Sequence, residues 1–203
     1  KRCYTTDGSE PTATSPLYEK IVPVKEALTL KGAIFAHGRQ MGKTLILPVR
    51  WNLATAKPVL GTNPTEKLLT NGIRGSLKYS DFEWCSWADN DSVSFTIDLL
   101  KPEMLNTLTL GSITNNGMAI HKPASVRVEV SDDNSKFREA VVQSFTSEEI
   151  FREGNFIENL SLKLGGAQAR YVRVTAKGPG VCPASHVRPG QTSRIFFDEV
   201  MLE

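Results

Sequence analysis

Apolar residues alternate with polar ones in short runs along most of the chain. The runs are Leu28, Leu30 and Ile34; Val93, Phe95, Ile97 and Leu99; Leu108 and Leu110; Val126, Val128 and Val130; Leu160, Leu162 and Leu164; Val172 and Val174; and Ile195 with Phe197. A period of two puts each set on one face of a β-strand. No segment keeps a helical period for three turns, and turn-rich stretches such as SDDNSK (131–136) and KGPG (177–180) separate the runs. Many short strands punctuated in this way predict an all-β protein, a sandwich or jelly roll. One helical turn is expected near Pro64 and Leu69, capped by Thr65.

The closing stretch TSRIFFDEVMLE (192–203) raises a specific difficulty. Strict alternation puts Ile195, Phe197, Glu199 and Met201 on one face and Phe196, Asp198, Val200 and Leu202 on the other. Whichever face is buried, a carboxylate goes with it, and a buried charge costs several kcal/mol unless a cation or hydrogen bonds compensate it.

A boundary is expected within LPVRWNLA (47–54), where Pro48 follows the last strand of the first portion. Residues 1–50 are few for an independent sandwich and open at CYTTDGSEPT as though already inside a strand pair, so part of that sheet would lie upstream. Residues 51–203 suit a single β-sandwich. The chain begins at Lys1 without Met, as a piece of a longer protein would, and any export signal would lie upstream.

Composition narrows the classes. The 24 basic and 22 acidic residues are interspersed, with no basic stripe to suggest nucleic acid or an anionic membrane surface as partner. No apolar run approaches the roughly 20 residues of a membrane span. Cys3, Cys85 and Cys182 form an odd set without CxxC spacing. Free thiols are therefore expected, with a Cys85–Cys182 bridge left open.

YTTDGSEPTATSPLY (4–18) followed by ALTLKGAIFAHGRQMGKT (27–44) resembles the small immunoglobulin-like domain behind the catalytic barrel of bacterial chitobiases and β-hexosaminidases. From Asn52 onward the chain resembles the discoidin-like (coagulation factor 5/8 type C), galactose-binding-type β-sandwich, also found as a carbohydrate-binding module. The landmarks are LLTNGIRGS (68–76), WCSWADNDSVSFTIDL (84–99), IHKPASVRVEVSDDNSKF (120–137), ARYVRVTA (169–176) and FFDEVML (196–202). The resemblances imply a partial Ig-like sandwich followed by a galactose-binding-domain-like jelly roll. They also imply a structural calcium held by the carbonyls of Leu68 and Ile73, oxygens of Asn71 and Ser76, the carbonyl of Asp198 and the carboxylate of Glu199. Such an all-oxygen set suits a hard cation. The family has Asp-Gly where this chain has Asn71-Gly72, so ligand charge is lower and affinity should be weaker. Asp198 would then turn outward or offer only its carbonyl. The alternative is that Glu199 pairs with Arg74 or another basic residue, or points to solvent.

In the resembling modules the sugar site lies on loops at one end of the sandwich, where an aromatic face stacks on the sugar and planar polar groups fix its hydroxyls. Here LKYSDFEWCSWADND (77–91) carries Tyr79, Phe82, Trp84 and Trp87, SITNNGMAIHK (112–122) carries Asn115, Asn116 and His121, and GVCPASHVRPGQTS (180–193) carries His186 and Arg188. Trp84 reads as core. Tyr79, Trp87, Asn115, Asn116, His121, His186 and Arg188 are the candidate glycan contacts. Cys182 and His186 stand four apart, but a zinc ion needs two more ligands that no recognised spacing supplies.

Asp7 and Glu10 read as turn residues. The adjacent or alternate carboxylates Asp81/Glu83, Asp89/Asp91, Asp132/Asp133 and Glu148/Glu149 all sit in polar loops or turns, and no nucleophile-elbow, P-loop or zinc-protease motif occurs. Catalysis within this chain is not expected. The resemblance implies a parent glycoside hydrolase of the chitobiase/β-hexosaminidase type with its catalytic domain upstream, in a secreted, periplasmic or cell-surface bacterial protein. The chain itself is expected to be a monomer that binds galactose- or N-acetylhexosamine-containing glycans, or else a brace for the catalytic domain with no ligand of its own.

Overall fold

The computed structural model describes residues 1–20, 22–87 and 92–203. The chain divides into two compact units, Lys1–Trp51 and Asn52–Glu203.

The first unit is a three-stranded antiparallel sheet in the order β1–β2–β3, with β1 at Arg2–Thr5, β2 at Leu28–Ala36 and β3 at Arg39–Val49. His37 and Gly38 close the β2–β3 hairpin with φ of 50° and 76°, the two positive values that a tight I′ connection demands. Cys3, Ala33 and Phe35 form its small buried cluster. Asp7 accepts hydrogen bonds from the Ser9 amide and hydroxyl. Glu10 pairs with Lys31 at 2.5 Å and accepts from the Thr44 hydroxyl. Glu10 thereby ties the Pro-containing loop to the sheet, while Asp7 closes the turn at Ser9.

The second unit contains β4 (Val59–Leu60), β5 (Cys85–Trp87), β6 (Ser92–Asn115), β7 (Ser125–Ser131), β8 (Arg138–Ser144), β9 (Asn155–Lys177) and β10 (Ile195–Leu202). They are connected in the order β5–β10–β6–β9–β7–β8, with β4 against β6. The runs at Val93–Leu99 and Leu108–Leu110, expected as separate strands, are continuous in β6, and those at Leu160–Leu164 and Val172–Val174 are continuous in β9. Their mutual register slips between Asp98 and Glu103, around Leu100 with φ of 70° and Pro102, and again between Leu105 and Thr107. Such bulges bend a strand. Each long strand thereby serves both layers of the sandwich, and Phe95, Ile97, Leu108, Leu110, Leu160, Leu162, Val172 and Val174 join one core.

The expected turn near Pro64 is a 3-10 helix, Glu66–Thr70, whose preceding Thr65 makes no side-chain cap. A second helical turn, Ser147–Ile150, carries a complete Thr146/Glu149 capping box. The TxxE spacing at 146–149 signals it.

The closing strand departs from strict alternation. Phe197 opposes Ser112 and Val200 opposes Leu110, so three steps on β10 match two on β6. This bulge brings Ile195, Phe197, Val200 and Leu202 into the same core and leaves Asp198 and Glu199 as its two inner residues. Phe196 turns instead to a second cluster with Trp84, Ile113 and Ile120. Asp198 and Glu199 are therefore both fully buried, and the expectation that Asp198 turns outward is corrected.

Candidate functional site

Two groups of chemistry-bearing residues lie in the second unit. The first surrounds the β10 bulge. The Arg74 guanidinium donates from Nε to Asp198 Oδ2 at 2.7 Å, and the Gly75 amide donates to the same oxygen at 2.9 Å. Arg74 thus serves Asp198, not Glu199. Glu199 Oε2 accepts from the Gly72 amide at 3.0 Å, where a φ of 77° turns the loop back onto the strand. Two buried oxygens remain without a partner: Asp198 Oδ1 and Glu199 Oε1. Burial pushes the Glu199 carboxyl up to about 9, against the Gly72 hydrogen bond, and raises Asp198 as well, against Arg74.

Neighbouring glycines make room for this arrangement. A Cβ on Gly111 would fall 1.9 Å from Asp198 Oδ1, and one on Gly75 would fall 2.3 Å from the Trp84 ring. Of the other residues expected around a cation, Asn71 uses Oδ1 to accept from the Ile73 amide and Nδ2 to donate to Glu83. Leu68 accepts the Asn71 amide at 3.3 Å, and Ser76 accepts from the Lys78 amide and, through its carbonyl, from Trp84 Nε1. The 68–76 loop and β10 are thus stitched together by direct hydrogen bonds, with two carboxylate oxygens left over.

The second group lies at one end of the sandwich, where three loops meet. Tyr79 packs edge-on to Phe196 at 6.3 Å, and Met118 packs against the same Trp84–Ile113–Ile120–Phe196 cluster. Arg188 donates from Nε to the Gly117 carbonyl, and Arg194 to that of Met118. The candidates do not share one exposure. Trp87 is 7% exposed and belongs to the main core, stacked on Phe95 and edge-on to Phe197, because β5 pairs directly with β10. It is no ligand platform. Trp84 is buried, as expected.

Asn116, His121 and His186 also turn inward and are buried. Asn116 Oδ1 accepts the Gly154 amide, and its Nδ2 faces His186 Nε2 at 3.3 Å. Their expected role as surface contacts is closed off by that burial. Tyr79 and Asn115 remain partly exposed and Arg188 exposed. Among the described residues of the second unit, the aromatic side chain that stands in solvent is Phe82, 92% exposed on the same loop as Tyr79. The pattern of apolar residues passes over it, since an exposed Phe in a loop looks like a stray core residue.

His121 is fully buried with neither ring nitrogen hydrogen-bonded. Burial and the neighbouring His186 push its pKa down to about 4, while the Ile150 backbone opposes the shift without reaching hydrogen-bond geometry. The ring is therefore neutral at physiological pH.

In each described carboxylate pair at least one member has a structural partner. Asp81 accepts from the Ser76 and Glu83 amides, Asp133 from those of Ser135 and Lys136, and Glu149 closes its capping box. Asp89 and Asp91 lie outside the described residues.

Together these features define an antiparallel β-sandwich module with a stapled closing strand and a loop-built end. Residues 54–187 match the F5/8 type C domain, and the chain belongs to that family. Residues 3–45 match the chitobiase/β-hexosaminidase C-terminal domain. Among solved structures, a chitosan-binding module from a chitosanase/glucanase of Paenibacillus sp. IK-5 is similar at 16% identity. It covers 76% of this chain and 99% of its own, with a TM-score of 0.50. A fucose-binding module of Streptococcus pneumoniae is 18% identical over 75% of this chain and 97% of its own, TM-score 0.49. The C-terminal domain of a chitobiase from Bacteroides fragilis is 16% identical over 68% and 78%, TM-score 0.40. At such identities the likeness concerns the fold alone. No curated protein matches the chain. Among the described residues no helix is long and apolar enough to cross a membrane.

Proposed function

We propose that the second unit is a non-catalytic carbohydrate-binding module that takes galactose- or N-acetylhexosamine-containing glycans at the loop-built end. The observation that carries this reading is the meeting of the three loops there, with Tyr79, Asn115 and Arg188 accessible and a solvent-exposed Phe82 on the Tyr79 loop. An exposed aromatic face provides the apolar platform for sugar C–H groups, and the guanidinium and amide are donors for ring hydroxyls. The chitosan-binding module that shares the fold supports a glycan as ligand.

Calcium fits the β10 bulge as a structural cation. Glu199 Oε1 has no partner although buried, and a divalent ion replaces the proton that a buried carboxylate otherwise takes up. Glu199 would supply the carboxylate, with the carbonyls of Leu68, Ile73 and Asp198 and oxygens of Asn71 and Ser76 around it. A clamp of this kind crosslinks the 68–76 loop to β10 and adds binding energy to folding.

The chain would serve a secreted, periplasmic or cell-surface bacterial chitobiase or β-hexosaminidase, holding its upstream catalytic domain near glycan substrates. The immunoglobulin-like unit, matched over residues 3–45, supports that setting. A glycan array with the full chain, followed by calorimetry on the responding sugars, tests the reading. Binding to galactose or N-acetylhexosamine glycans supports it. A blank array with calcium present would leave a brace for the catalytic domain as the function.

A further inference from the structure

We infer that His121, Cys182 and His186 form a binding site for one zinc ion, separate from the glycan rim and from the calcium-type clamp at Glu199.

The chain builds this cluster from two distant segments. His121 is placed just before β7 by its backbone amide, which donates to the Arg194 carbonyl at 3.1 Å. Cys182 and His186 come from a loop closed by the Val181–Thr192 bridge and by the Cys182 amide donating to Gln191. Within that loop the His186 amide donates to the Pro183 carbonyl at 3.0 Å, a turn that folds the imidazole back beside the thiol. All three side chains are buried, and their ligand atoms lie within 4.8 Å of one another. The two imidazoles meet edge-on at 5.0 Å, with the Phe151 ring 5.1 Å from His121 and 6.1 Å from His186.

The polar groups of the cluster are not all paired with protein partners. His121 is fully buried, yet neither ring nitrogen has a hydrogen bond. Leaving a buried polar group unpaired costs about 1–3 kcal/mol. His186 is mismatched in the opposite sense. Its Nδ1 accepts the Arg188 amide at 3.0 Å, which in a neutral ring puts the proton on Nε2, facing the Asn116 amide. That amide is held as a donor because its oxygen is already engaged by Gly154. A Lewis acid that takes a lone pair from each ring would give both a partner.

Two neutral imidazoles and a thiolate are borderline-soft donors, the set that selects zinc over calcium or magnesium. Zinc bonds of about 2.0–2.1 Å to nitrogen and about 2.3 Å to sulfur hold tetrahedral donors roughly 3.5 Å apart, so the loop closes by about 1 Å on binding. The Ser193 hydroxyl, 3.4 Å from Cys182 Sγ, is placed to donate to the thiolate. The fourth position is left to water. The Cys182 thiol gives up its proton on coordination, so uptake releases one proton. The Arg188 contact is exchanged in either ring orientation, since binding through Nε2 protonates Nδ1 and binding through Nδ1 uses its lone pair.

The test is calorimetry of the tag-free full chain with zinc chloride, in excess calcium so that the Glu199 clamp stays saturated. One zinc per chain is expected, with proton release read from buffers of different ionisation enthalpy. Cobalt(II) added instead should give a thiolate-to-metal charge-transfer band. Cys182→Ser should abolish the band and weaken binding about tenfold or more, His186→Ala should weaken it similarly, and exposed His37→Ala should leave it unchanged. If the variants fail to fold, the cobalt charge-transfer band of the wild type, saturating at one equivalent and displaced by zinc, reads the same contact. No zinc uptake by the wild type, or cobalt binding without the sulfur band, overturns the assignment.

Discussion

Replacing Arg74 with Met should unseat the closing strand. The substitution keeps most of the aliphatic volume and removes the cation from Asp198, which is fully buried and left with the Gly75 amide alone. Breaking a buried pair from one side costs about 3–5 kcal/mol, because the remaining carboxylate stays desolvated without its partner. In a unit of this size each kcal/mol moves the melting temperature by about 2–4 °C, so a fall of roughly 10 °C is expected. Asp198→Leu should cost a similar amount by stranding Arg74. The double variant should recover most of the loss, because an apolar pair of similar volume replaces an ion pair almost neutrally. What stays lost is the Gly75 hydrogen bond, about 1 kcal/mol. Urea unfolding of the four proteins at fixed calcium, arranged as a double-mutant cycle, gives the coupling directly. Single variants that lose less than about 1 kcal/mol, or a double variant whose loss equals the sum of the two, would refute the claim that Arg74 compensates the buried charge.

Chelation with EDTA should lower the melting temperature, added calcium should restore it, and Glu199→Ala should remove the response; three unchanged melting curves would remove the calcium proposal. Asp98 accepts both Nε and a terminal nitrogen of Arg170 at 2.7 and 2.8 Å, and this pairing holds its carboxyl below the ordinary aspartate range. A lowered folded-state pKa contributes stability that is present above the unfolded value and lost as pH falls through the folded one. Asp98→Asn should therefore destabilise at pH 7 and differ less and less from the wild type on acidification below about pH 4, as followed by urea midpoints. Burial pushes the Cys85 thiol up to about 12, so it should resist iodoacetamide at pH 8 in the native protein and react once unfolded.

The sheet architecture was legible because alternation and turn punctuation are local properties. The resemblance of LLTNGIRGS and FFDEVML to paired landmarks also placed the 68–76 loop against Glu199, where the Gly72 hydrogen bond now stands. What period-two counting could not supply was the β10 bulge. One extra residue moves Val200 and Leu202 to the face of Phe197 and buries both carboxylates, and nothing in eight consecutive residues announces where the partner strand skips. Trp87 was misplaced for a related reason, since its burial depends on pairing with β10 more than 100 residues away. The His121–Cys182–His186 cluster was half visible as the Cys182/His186 spacing. Its third member comes from another loop, which no local motif can join. Phe82 was seen as one of several aromatics, and only its solvent exposure sets it apart.

The most direct test of the glycan-binding claim is a calorimetric titration of the full chain with the best-responding galactose or N-acetylhexosamine oligosaccharide, repeated with Phe82→Ala and Arg188→Ala. Saturable one-to-one binding by the wild type, reduced about tenfold or more in each variant, is the predicted result. Binding that survives both substitutions, or no heat at any ligand concentration, would contradict it.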